Sequence, residues 1–281
     1  MNGRFSAWHC RTENTRKSTI SRLDERFEFA QAIARMAGEG ALRYFRDFAA
    51  LTVHSKGVQD MASEADLATE QLIQTAVEGQ FPEDAFLGEE TSDCFAIQPG
   101  KGTWIVDPID GTQPFINGIP SWCISISYVE EHHIRIGVVY DPVHDELFAA
   151  QQGKGAWING KPMRTADASS LQDGLVCVGF SNRVPPEAVL GPLTRLLHSK
   201  GMYHRNGSGA LSLAYVAAGR LIGYFEPHMN SWDFAAGALL VREAGGRTND
   251  CLPNPQAMVD GGLMLAATAD VYDELEQVVK G

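Results

Sequence analysis

Nowhere among the 281 residues is there an apolar run approaching the ~20 residues that a membrane-spanning helix needs. Basic side chains are scarce beside acidic ones, 23 Lys and Arg against 35 Asp and Glu, giving a formal net charge of -12. Such a surface repels nucleic acid and anionic membranes, so neither is expected as a partner. It would also repel a phosphorylated small molecule, unless bound cations invert the field locally. Cysteine is sparse as well. Cys10, Cys94, Cys123, Cys177 and Cys251 are scattered, odd in number and without Cys-x-x-Cys spacing, which argues against a disulfide framework. A reducing cytoplasm fits, with the thiols serving as small buried hydrophobes. Residues 1–20 are polar and slightly basic and lack the apolar core of a secretory signal, so a disordered extension is expected there ahead of a transit peptide.

What remains is a globular composition, 44% hydrophobic and 21% charged, long enough for a substantial core. Apolar residues recur at helical spacing from Leu23 to about Asp47 and again from Ser63 to Glu78, where Ser63 offers a capping hydroxyl. The pattern then turns to strands: Ala85-Phe86-Leu87, Thr103 to Val106, Ser121 to Val129, Ile134 to Tyr140 and Glu146 to Ala150, followed by a glycine-rich hairpin ending at Asn159-Gly160. The first half thus reads as helices on an antiparallel sheet. In the second half strands at Leu175 to Phe180, Ile222 to Phe225 and Leu263 to Ala267 alternate with helices at Glu187 to His198, Ser208 to Ala218, Trp232 to Ala244 and Ala269 to Val279. A boundary near 165–170 should separate two tightly packed subdomains of a single domain spanning 21–281.

Three acidic clusters stand out: Gly88-Glu89-Glu90, Asp107-Pro108-Ile109-Asp110-Gly111-Thr112, and Trp232-Asp233 at a helix start. Singly, each is what a surface loop or turn commonly contains. In the middle cluster, however, Pro108 stiffens the turn so that Asp107, Asp110 and the Ile109 carbonyl can converge. Gly111 allows close backbone approach, and its N–H and that of Thr112 could cradle an anion. Hard oxygen ligands of this kind suit Mg²⁺.

On these motifs, and on Gly137-Val138-Val139-Tyr140, Gly153-Lys154-Gly155-Ala156, Asn159-Gly160 and Glu243-Ala244-Gly245-Gly246, the chain from about Phe27 onward resembles the inositol monophosphatase family of lithium-sensitive, magnesium-dependent phosphatases. The resemblance implies an α/β (α+β) sugar-phosphatase fold layered α-β-α-β-α, a small phosphorylated alcohol as substrate, two or three Mg²⁺ ions and a homodimer. It implies that Glu89, Asp107 and the Ile109 carbonyl hold one ion and Asp107, Asp110 and Asp233 a second, with a third, weaker ion near Glu89 and Glu90. Asp66 would work with Thr112 on the attacking water, in a single-step displacement. Gly207, Ser208, Gly209 and Glu226 would line the substrate's hydroxyl-bearing part, beside Asp110, Gly111, Thr112 and Asp233.

Three local departures from the family pattern bear on substrate choice: Gln113-Pro114-Phe115 after the Gly-Thr, Pro227 to Trp232 before Asp233, and Gly209 in place of the usual alanine. The first looks somewhat like the histidinol-phosphate phosphatases of the same superfamily. Inositol monophosphate is the leading expectation and histidinol phosphate, a sugar phosphate or a nucleotide bisphosphate the alternative. A regulatory binding protein on the same fold is a reading of a different class. Among the histidines none shows ligand spacing, and only His228 is close enough in sequence to the substrate wall to merit attention; Lys56 could meet a carboxylate or phosphate.

Overall fold

The computed structural model describes residues 21–57, 60–92 and 98–281. Expectations for residues 1–20, for Cys94 and for the side chains of His54 and Lys56 lie outside the described residues. The helices are α1 (Arg22–Arg46), α2 (Glu64–Gln80), α3 (Thr112–Ile116), α4 (Glu187–His198), α5 (Gly209–Ala217), α6 (Ser231–Glu243), α7 (Ala257–Asp260) and α8 (Tyr272–Lys280). The strands are β1 (Val53–Gly57), β2 (Asp60–Ser63), β3 (Ala85–Gly88), β4 (Thr103–Asp110), β5 (Cys123–Glu130), β6 (His133–Asp141), β7 (Glu146–Gln151), β8 (Gly155–Ile158), β9 (Lys161–Pro162), β10 (Leu175–Val178), β11 (Met202–His204), β12 (Gly223–Met229), β13 (Arg247–Thr248) and β14 (Gly262–Ala267).

Strands β3 to β9 form one sheet in sequence order, and β11-β10-β12-β14-β13 form a second, mixed one. The first sheet is antiparallel as its pattern implies, except that β3 runs parallel to β4. The connection from Gly88 to Thr103 explains this, because it is long enough for the crossover that parallel pairing requires. The first sheet ends at Pro162 and the second begins at Leu175.

Alternation along the strands sets the layers. On β5, Ile124, Ile126 and Tyr128 join the core under α1 and α2, whereas Cys123 joins the core built around α5 and α6. A third core of Val176, Val178, Phe225, Leu265, Tyr272 and Leu275 closes the outer face of the second sheet beneath α4 and α8. The result is the expected α-β-α-β-α stack, with α5 and α6 between the sheets. Gly137 makes the central contact possible: a Cβ there would lie 2.5 Å from the Ala236 carbonyl oxygen, so α6 rests against β6 backbone to backbone.

One buried ion pair anchors α1. Arg26, 5% exposed, donates from Nε and Nη2 to the two oxygens of Asp84, each at 2.8 Å, and Trp104 Nε1 donates to the same carboxylate at 2.9 Å. Its guanidinium also sits 4.6 Å from the Phe81 ring centre.

Candidate active site

The two aspartates of the middle cluster do not follow a strand end; both lie within β4, which closes on Asp110. Opposite it, Asp107 pairs with Ser125 and Asp110 with Cys123, so three steps on β4 match two on β5. In a regular strand residues three apart point to opposite faces. The bulge inserts one residue, and Asp107 and Asp110 consequently share the face toward α5 and α6. Pro108 lacks a donor, which suits an interrupted ladder. Ile109 N–H, no longer in the ladder, donates to Asp107 Oδ1 at 2.9 Å.

Two further acids arrive by a common device, as the third residue of a helix in a capping box. Asp66 of α2 accepts the Ser63 N–H at 2.8 Å and the Ser63 hydroxyl at 2.6 Å on Oδ2. Its other oxygen, Oδ1, lies 3.4 Å from the Thr112 hydroxyl, which is also 3.3 Å from the Ile109 carbonyl. Asp233 of α6 accepts the Asn230 N–H at 2.9 Å on Oδ2, and Ser125 Oγ fixes that helix start by donating to the Trp232 carbonyl at 2.9 Å. Far from being a surface carboxylate, Asp66 is fully buried.

A third helix start meets Asp110. Ser208 caps α5 by accepting the Leu211 N–H at 3.2 Å, and its hydroxyl donates to Asp110 Oδ2 at 2.5 Å. Ala210 N–H donates to the same oxygen at 2.7 Å. Oxygens from Asp107, Asp110 and Asp233 thereby come within 4.8 Å of one another. Glu89, whose N–H donates to the Val106 carbonyl at 3.1 Å, follows β3 directly.

Electrostatics of the cluster follow from crowding. Burial, and then the charges of Glu89, Asp110, Asp233 and Asp66, push the Asp107 carboxyl well above the usual carboxylate range. Burial likewise raises Asp110, opposed by the Ser208 and Ala210 hydrogen bonds, and takes Asp233 to about 7 with help from the Asp110 charge. Acids so placed favour a cation among them. An all-oxygen donor set fits a hard divalent ion, and among the described residues no nitrogen or thiolate joins the group: burial pushes the Cys123 thiol up, 3.8 Å from Asp110.

Beside the cluster opens a cavity of about 120 Å³, whose lining includes Asp110, Asp233, Gly207, Ser208, Gly209 and Glu226. The first departure from the family pattern touches this wall, since a Cβ at Gly207 would lie 2.7 Å from Pro114 Cγ. The third is explained by packing: at Gly209 a Cβ would lie 2.5 Å from Met229 Cε. Glu226 accepts the Tyr224 hydroxyl at 2.5 Å, and burial raises its carboxyl to about 7 against the opposing effects of that bond and of the Arg205 and Arg183 charges.

Tyr224, Arg205 and Gly179 also line the cavity and were not among the sequence candidates. Tyr224 was within reach of sequence reasoning, since it is two residues before Glu226 on one strand and must share its face. His228 is not part of the wall: its Nε2 donates to the Asp260 carbonyl at 3.1 Å. Cys177 and Cys251 are buried thiols raised by that burial, which makes them poor nucleophiles.

A layered fold with a buried carboxylate cluster beside a small polar cavity describes phosphatases of small phosphate esters. The chain belongs to the inositol monophosphatase family, whose model matches residues 22–280, and it is accordingly a phosphatase. It is 34% identical over 256 residues to the Nus factor SuhB of Escherichia coli, covering 88% of this chain and 96% of that protein. It is 36% identical over 249 residues to the inositol-1-monophosphatase of Mesorhizobium japonicum, covering 88% and 93%. Among solved structures, the extragenic suppressor protein suhB of Bartonella henselae superposes with a TM-score of 0.82 at 32% identity, covering 91% of this chain and 98% of that one. No helix among the described residues is long and apolar enough to cross a membrane.

Proposed function

We propose that the chain hydrolyses the phosphate monoester of a small polyol, with an inositol monophosphate as leading substrate and Mg²⁺ as its cation. The observation that carries this reading is the convergence of Asp107, Asp110 and Asp233 within 4.8 Å beside a cavity that Glu226 also lines. In this reading Glu89, Asp107 and the Ile109 carbonyl hold one Mg²⁺, Asp107, Asp110 and Asp233 a second, and Glu89 with Glu90 a weaker third. When bound, the ions activate water and neutralise phosphate charge.

The chain's own groups do the positioning. Asp66 Oδ2 is committed to Ser63, which leaves Oδ1 toward Thr112. Thr112 Oγ1 carries one hydrogen and two lone pairs. It donates toward Asp66 Oδ1, accepts from the attacking water, and relays that proton to Asp66 as the phosphorus–oxygen bond forms. The N–H groups of Gly111 and Thr112, which open α3 without helical carbonyl partners, receive phosphate oxygens. No phosphoenzyme is needed, because positioning and charge stabilisation suffice for phosphoryl transfer. Glu226, as carboxylate, accepts two hydroxyl donors of the departing polyol.

Relatives carry the name Nus factor. A net charge of -12 disfavours direct contact of this chain with nucleic acid, so the catalytic role is the one proposed, in the cytoplasm and inhibited by lithium. A homodimer is also proposed, seated on the apolar edge where Met202 is 62% and Tyr203 50% exposed on edge strand β11. The test is phosphate release from inositol 1-phosphate, histidinol phosphate, fructose 1,6-bisphosphate and adenosine 3′,5′-bisphosphate, with Mg²⁺ and with chelator. A Mg²⁺-dependent preference for inositol 1-phosphate is expected. Preference for histidinol phosphate would replace the polyol by an amine held by Glu226, and release independent of Mg²⁺ would overturn the cation assignment.

A further inference from the structure

Helix α2 carries a second buried acid one turn after Asp66. Glu70 is 2% exposed, and its Oε2 accepts the Glu90 N–H at 2.8 Å. Residues four apart on a helix lie on one face. α2 therefore meets the site twice, at Thr112 through Asp66 and at the Gly88-Glu89-Glu90 segment through Glu70. The contact with that segment is close: a Cβ on Gly88 would overlap the Glu70 carboxyl, so glycine at 88 and glutamate at 70 fit each other. Glu89 N–H is held from the opposite side by the Val106 carbonyl of β4, at 3.1 Å. The backbone on both sides of the Glu89 side chain is thus fixed, once by the strand that carries Asp107 and once by the helix that carries Asp66.

We propose that Glu70 is a positioning residue: through the Glu90 N–H it sets the backbone from which Glu89 reaches the cation, and so tunes cation affinity without contacting the ion. The proposal rests on the reading of Glu89 as a ligand. Groups that orient ligands from outside a metal site typically change affinity by about 10–100-fold when removed. A carboxylate is not required for the task, since any acceptor at the same place would hold the N–H. This separates positioning from charge.

The experiment is Mg²⁺ titration by calorimetry of the full chain and of Glu70→Gln, Glu70→Ala, Gly88→Ala and the Glu70→Ala/Gly88→Ala double variant. Thermal midpoints are recorded alongside. Glu70→Ala is expected to weaken Mg²⁺ binding about tenfold or more, and Glu70→Gln, which keeps an acceptor, to stay within about threefold of wild type. Gly88→Ala should weaken binding as well, whereas the double variant should recover part of that loss because the smaller side chain makes room, a non-additive result of the kind neighbours give. If Glu70→Ala binds Mg²⁺ like wild type, or if Glu70→Gln falls as far as Glu70→Ala, the positioning role is overturned. Should Glu70→Ala fail to fold, the Gln variant and the Gly88 pair still decide. A wild-type chain that binds no Mg²⁺ overturns the functional reading and this proposal together.

Discussion

Glu226, in the lining of the cavity beside the acid cluster, gives the most direct pH test. Glu226 is raised from 4.5 to about 7, chiefly by burial. The sign follows from linkage. Between roughly pH 4.5 and 7 the folded chain keeps a proton on this carboxyl that the unfolded chain has lost, so stability falls as pH rises through that window. At about 1.4 kcal/mol per pH unit, one such group costs about 3 kcal/mol by neutral pH. Glu226→Gln has no proton to lose, and its amide oxygen can still accept the Tyr224 hydroxyl that Glu226 now takes at 2.5 Å. Thermal melts of both proteins are run with saturating Mg²⁺ from about pH 5 to about pH 8, which holds the acid cluster in one state. The two midpoints should lie together at the acid end. They should diverge toward the alkaline end with the variant higher, by on the order of 6 °C for a chain of this size. Parallel curves would refute the argument, because they would mean that Glu226 ionises in the folded chain as it does in water.

Three other outcomes are expected. Asp233→Asn should keep the fold while losing most Mg²⁺-dependent turnover, and wild-type turnover in that variant would remove Asp233 from the site. Arg26→Met should cost about 3–5 kcal/mol in a urea melt by leaving the Asp84 carboxylate buried without its partner, and Arg26→Met/Asp84→Leu should cost less than the single change. Gly137→Ala should lower stability by about 1–3 kcal/mol through overpacking and weaken Mg²⁺ binding, because the displaced α6 carries Asp233; unaltered Mg²⁺ affinity would show that α6 has not shifted.

Much of this was legible from residue order alone. The helix at Glu187–His198 and the extents of α1, α2 and α6 follow from periodicity and caps, and the acid motifs marked the place where chemistry would collect. Two features were not. The parallel pairing of β3 and β4 depends on a crossover whose path no local pattern encodes. The bulge in β4 was hidden too, because Thr103 to Val106 read as a strand that stops at the acids, whereas the strand continues to Asp110 with one residue to spare. Arg205 was missed for another reason: it becomes a site residue only when β12 and the turn before α5 come together around the cavity.

The way the acids are mounted bears on why so repulsive a cluster can be kept in a folded chain. Asp66 and Asp233 are each bound through one oxygen to their own helix start, and Asp110 is bound to the start of a third helix, α5. A helix start is electropositive and offers N–H donors that lack helical partners, so each acid is stabilised by the element that carries or meets it. Those bonds fix one oxygen of each of these carboxylates. They also leave the second oxygens of Asp66 and Asp233 uncommitted to the caps. Asp107 is held differently: it accepts the Ile109 N–H inside the same bulge rather than a helix start, and burial and the charges of Glu89, Asp110, Asp233 and Asp66 push its carboxyl well above the ordinary range. A cation bound among these groups would relieve the mutual repulsion that Asp107 shares with Glu89, Asp110, Asp233 and Asp66.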